Sequence, residues 1–130
     1  MRLSGFSLIE WLVVVGIVAL INAIMLPNFT VVTSMAKNVS SKSNVRNMMV
    51  AIEQSYFIHQ VYPDAGSISD LIDQLNASNI IQTAPINPFT GAPYSSIDTS
   101  GKLVYRRMND NAYELALFGM NNDDVIFEYP

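Results

Sequence analysis

Residues 6–26 read FSLIEWLVVVGIVALINAIML, and only Ser7, Glu10 and Asn22 in those 21 positions are plainly polar. As an α-helix rising about 1.5 Å per residue, the stretch is roughly 30 Å long, the thickness of a bilayer's hydrocarbon core. A secretory signal peptide has a shorter apolar region, followed by a small-residue cleavage site. Here the apolar region is long and the small residue, Gly5, comes before it. The span is therefore expected to stay with the mature chain. A carboxylate inside such a span costs roughly 2.5–3.5 kcal/mol on insertion scales, so Glu10 marks function by default. The competing reading is a glutamate near the membrane boundary that snorkels to the interface.

Downstream of the span, Pro27 lacks an N–H and crowds the preceding turn, so it is expected to kink or locally open the helix. Val45, Met48, Met49, Ile52, Tyr56 and His59 then recur at spacings of three and four. That is one apolar stripe of a resumed helix, predicted to end near Val61-Tyr62-Pro63. Ser67 with Asp70 three residues on reads as a capping box. Ile68, Leu71, Ile72 and Leu75 follow at i, i+3, i+4 and i+7, which predicts a short amphipathic helix over 67–76. Residues 85–94 hold three prolines and a glycine; this is an ordered loop with Phe89 and Tyr94 as packing anchors. Strands are predicted over 102–108, 112–118 and 125–129, the first two joined by the Asn109-Asp110-Asn111 turn. In the second strand Tyr113, Leu115 and Leu117 alternate with Glu114 and Ala116, as a half-buried strand requires. An antiparallel meander on the back half of the long helix buries both apolar faces.

Composition narrows the function. The 130 residues carry a formal net charge of -4 and no cysteine, so no disulfide is available and the compartment cannot be read from thiols. One histidine and no cysteine leave neither a zinc site nor a histidine-based triad, and no basic stripe suits nucleic acid. His59 reads as a packed or capping residue. Arg106 and Arg107 read as one exposed and one stem-packed strand residue. Asn121, Asp123 and Asp124 offer hard oxygen ligands that calcium would accept. Adjacent Asn and Asp are also ordinary turn residues, and that is the expected reading, with no cofactor.

Gly5-Phe6-Ser-Leu-Ile-Glu10, the apolar run after it and Leu26-Pro27-Asn28-Phe29 together resemble a type IV pilin or type II secretion pseudopilin precursor. The motif covers about a fifth of the chain; beyond it the likeness is architectural. The resemblance implies that a prepilin peptidase cuts after Gly5 and methylates the new amine of Phe6, and that Glu10 pairs with such an amine on a neighbouring subunit. It also implies an α+β, pilin-like fold with a leader at 1–5, a transmembrane and assembly half of the helix at 6–26, an amphipathic half at 27–61 and a globular head at 62–130. In two places the chain departs from the family. Asn22 stands where an apolar residue is usual, and Trp11 where leucine is common. Many pilins also carry a C-terminal disulfide loop, which this chain cannot form.

Topology is ambivalent from the residues alone. Arg2 favours a cytoplasmic N-terminus, whereas Lys37, Lys42 and Arg46 follow the span with no acidic residue between Trp11 and Ile52. The resemblance implies N-in, C-out: a single pass through the inner membrane, the head outside the cytoplasm, then residence in a pilus or a periplasmic pseudopilus. The expected function is structural and not enzymatic: self-association into a helical filament through the N-terminal helix, with the bilayer, the prepilin peptidase and an inner-membrane assembly platform as partners. Surface pilus and secretion or DNA-uptake pseudopilus are not separated by the sequence. The alternative class is a membrane-tethered binding module that never polymerises and keeps its leader.

Overall fold

The computed structural model describes residues 7–120 and 125–129, with the backbone alone at 26–28 and 129. By contacts the chain divides into two units, Met1–Met35 and Ala36–Pro130. A single helix, α1, runs from Leu8 to His59. It continues through Pro27, although proline removes one ladder hydrogen bond.

In the N-terminal unit, every described side chain from Ser7 to Met25 is exposed. None of the described residues covers the apolar run.

The second unit is built on the rest of α1. Its stripe is the predicted one, with small residues added: Ser41, Val45, Met48, Ala51, Ile52 and Ser55 are buried, while Met49 and Tyr56 flank them half-buried. The small side chains allow the remaining elements to approach the helix closely. His59 lies in phase with the stripe yet is exposed, because α1 ends there and the chain turns away. Gln60 ends the helix in the left-handed region (φ 61), its N–H donating to Tyr56 O at 2.7 Å.

Helix α2 spans Ile68–Ala77, one residue from its prediction at each end. Ser67 caps it, Oγ accepting from Asp70 N at 3.2 Å. At the other end Asn79 takes φ 54, and Ile80 N–H closes back on Leu75 O at 3.0 Å. This is a Schellman-type end with Asn in the left-handed position.

Three antiparallel strands, β1 (Leu103–Asn109), β2 (Ala112–Phe118) and β3 (Val125–Tyr129), form one sheet in the order β1-β2-β3. Leu103 pairs with Leu117, Tyr105 with Leu115 and Arg107 with Tyr113. The inward positions of β1 and β2 are thus matched across the ladder. One hydrophobic cluster joins Val45, Met48 and Ile52 of α1, Ile68, Leu71, Ile72 and Leu75 of α2, and Leu103, Tyr105, Tyr113, Leu115 and Leu117 of the sheet. The fold is α+β: a long N-terminal helix packed against a small three-stranded antiparallel sheet.

The proline-rich loop is ordered by a residue with no periodic signature. Asn87 is fully buried. Its Nδ2 donates to Asp98 Oδ2 (3.0 Å) and Ser100 O (2.9 Å), and its Oδ1 accepts from Phe89 N (3.0 Å). Its own N–H and C=O bond Ala92 O and Gly91 N, both at 2.8 Å. A buried amide is stable only when its donors and acceptors are met in this way. Gly101 completes the knot at φ 63, where a Cβ would lie 2.4 Å from Phe89 Cδ2 and 2.8 Å from Asn87 Oδ1. Only glycine fits there.

Candidate functional site

The N-terminal helix is where the sequence concentrates its unusual chemistry. Ser7 opens α1: its Oγ accepts from Ile9 N at 3.4 Å, and its own N–H donates to Glu10 Oε2 at 2.8 Å. The first ladder bond runs from Trp11 N to Ser7 O at 3.3 Å. The Glu10 contact is one half of a capping box, the Ser7 hydroxyl meeting the N2 N–H instead, and a carboxylate at a helix N-terminus is further favoured by the helix dipole. Glu10 has no basic residue within its own described helix turn, but it does have a backbone donor. The Ser-x-x-Glu spacing that allows this bond is present in the sequence.

The helix has a mean hydropathy of 2.4 over its most apolar 18 residues, and none of that window is buried. One helix is therefore long and apolar enough to cross a membrane. Asn22 meets part of its hydrogen-bonding need internally, Nδ2 donating to Val18 O at 2.7 Å. That bond lowers the cost of carrying an amide through hydrocarbon. Gly16 is open on its outer side, with no atom within 4 Å of where a Cβ would stand.

The other candidate residues separate. Gly5 and Phe6, the expected cleavage and methylation positions, lie outside the described residues, as do the calcium candidates Asn121, Asp123 and Asp124. Among the described residues no group of three or more His, Cys, Asp or Glu side chains could hold a metal ion. Pro27 sits within α1. His59 is tied to its own helix, Nδ1 lying 3.0 Å from Ser55 O; as donor to that carbonyl it carries its proton on Nδ1.

Arg106 and Arg107 divide as expected, with side-chain exposures of 70% and 20%. Arg106 pairs with Glu114 across the hairpin at 3.6 Å. Arg107 reaches Asp64 at 3.6 Å and also Asp110 at the hairpin tip. It lines a cleft of about 390 Å³ with Ser55, His59, Tyr62, Asp64 and Gln74. Gln74 Nε2 is held by Asp64 O at 2.9 Å. The polar groups of this cleft are thus largely engaged with one another.

No protein-family model, curated protein or solved structure matches this chain.

Proposed function

We propose that this chain is a structural subunit of a type IV pilus-like filament, processed by a prepilin peptidase and assembled through its N-terminal helix. The observation that carries this reading is a helix uncovered and apolar in one part, with a single carboxylate in its first turn, that is in its later part the spine of an α+β head. Uncovered apolar surface of this length requires another apolar environment. A bilayer supplies it before assembly, and the same helices of neighbouring subunits supply it afterwards.

Cleavage after Gly5 creates a positive amine at Phe6. Glu10 of one subunit then exchanges the Ser7 N–H for the amine of a neighbour, so that each charge offsets the burial of the other. Such a pair fixes register more than it adds stability. The head faces outward from the inner membrane and then decorates the filament. The chain's chemistry is assembly, not catalysis.

The deciding experiment is mass spectrometry of the N-terminal peptide from protein purified out of its native membrane. A mature chain beginning at methylated Phe6 is expected. An intact Met1 start in cells with an active prepilin peptidase refutes the reading and leaves a membrane-tethered head.

A further inference from the structure

The second half of α1 uses one face for the core and leaves the other uncovered by its own head. Val39, Lys42, Arg46 and Val50 recur along that outer face at spacings of three and four, and all are exposed. Val39 and Val50 keep 68% and 67% of their surface, so this is an apolar strip with two cations set into it. Among the described residues neither Lys42 nor Arg46 forms an ion pair; the salt bridges are those of Arg106 and Arg107. The separation of charge runs through the whole chain. No acidic residue occurs between Trp11 and Ile52, whereas residues 62–130 carry nine carboxylates against three basic side chains. On α2, burial of Ile68, Leu71, Ile72 and Leu75 turns Asp70 and Asp73 to the outside, and among the described residues neither has a basic partner in the copy that carries it.

We propose that the outer face of α1 at Val39, Lys42, Arg46 and Val50 docks the acidic outer face of α2, Asp70 and Asp73, from a second copy of this chain. The proposal rests on the filament reading and deepens it by naming the contact that joins successive heads. The two faces are different patches of one molecule, so their contact is heterologous. Contacts of that kind repeat head to tail, and they give an open helix when the rotation does not close. The valines supply apolar contact at either end of the strip, while the charges between them steer the encounter and select the register. An anionic lipid surface is the other chemistry a basic juxtamembrane strip attracts. The strip's two valines and the surplus of carboxylates in the head favour a second copy.

The test uses the full chain in its native membrane, with isotope-labelled and unlabelled copies mixed and joined by a zero-length carbodiimide. That reagent links a lysine to a carboxylate only at contact. Mixed-label peptides joining Lys42 to Asp70 or Asp73 are expected. In parallel, the yield of sheared filaments should fall about tenfold for Lys42→Glu with Arg46→Glu, and equally for Asp70→Lys with Asp73→Lys, and return when all four changes are combined, as opposed charges regain their complement. Normal filaments from either double variant, or no recovery in the fourfold variant, overturn the docking while the filament reading stands. A yield that follows the anionic lipid content and ignores the α2 charges overturns it in favour of the membrane. If wild-type chains keep Met1 and form no filaments, the filament reading itself falls; absence of the mixed-label link then overturns the docking as well.

Discussion

Leu12 to Val18 and Val45 to Ile52 belong to the same helix and are both rich in branched apolar side chains, but they meet different surroundings. In the first stretch every side chain is exposed; in the second Val45, Met48, Ala51 and Ile52 are buried under α2 and the sheet. The head stretch alternates apolar with polar residues at the helical period, so it needs one partner face. The N-terminal stretch is apolar all round, which no single packed layer can cover. One helix thus carries two contracts with its environment: the head is satisfied by its own chain, and the span only by something else.

The sharpest break of that contrast is Glu10→Ala. It removes the sole carboxylate of the span and is expected to cut filament yield at least about tenfold, the usual consequence of unpairing a buried charge. The head should keep its unfolding midpoint, since Glu10 lies outside the unit that holds the head's core. Shear yield by electron microscopy and denaturation of the same preparation check both halves; normal filaments refute the pairing role.

Leu115→Ala reverses the pattern. It opens a cavity beside Val45 and Tyr105 and should cost the head about 2–5 kcal/mol, read by denaturant unfolding. Mass spectrometry should find the N-terminus processed as in the parent. Gly101→Ala comes next. Its Cβ collides with Phe89 and Asn87 at a positive φ, and a loss of about 1–3 kcal/mol is expected from strain and overpacking. A variant as stable as the parent would show that the loop gives way and is not knotted as described.

Alkaline pH probes the head alone. Burial pushes the Tyr105 hydroxyl up to about 12 from its ordinary 10.0, with Arg107 pulling it back and Asp64 raising it further; the hydroxyl donates to Pro63 O at 2.8 Å. A group that holds its proton more tightly when folded stabilises the fold fully below pH 10, and that contribution is lost as pH rises from 10 to 12. Unfolding midpoints should fall across that window, and Tyr105→Phe should flatten the fall. The smallest effect belongs to Ser67→Ala, which removes the α2 cap and should cost about 1 kcal/mol, visible as a small shift in the head's thermal midpoint.

The elements with a period were legible in the sequence. Ser67 and the 68, 71, 72, 75 spacing placed α2 within a residue. The 113, 115, 117 alternation placed β2, and the Asn109-Asp110-Asn111 turn paired it with β1. The loop's anchors were legible only in part. Tyr94 is buried as expected, but Asn87 is the residue that holds the loop. A polar side chain at the centre of a network leaves no mark in spacing, because the acceptors of its Nδ2 lie 11 to 14 residues away. His59 was read as a packed or capping residue on the stripe; it bonds Ser55 O of its own helix and is exposed, since phase says which way a residue points and not how far the neighbouring elements extend. In the candidate site, Glu10 was read from its charge inside the apolar run and from the motif around it, not from its contact with Ser7. Its bond to Ser7 depends on where the helix starts, which a run of apolar residues does not announce.

The tip of the β1-β2 hairpin grips the end of α1 at several points. Tyr62 N–H donates to Asp110 O at 3.1 Å and Tyr56 Oη to Asn111 Oδ1 at 3.1 Å. Arg107 reaches both Asp64 and Asp110, while the Tyr56 ring stacks on Tyr62 and Tyr62 meets Tyr113 edge-on. A tensile load carried by α1 would pass through this buckle into the sheet. Because the bonds share the force in parallel, no single one must bear it, and the head would yield by losing the whole buckle at once.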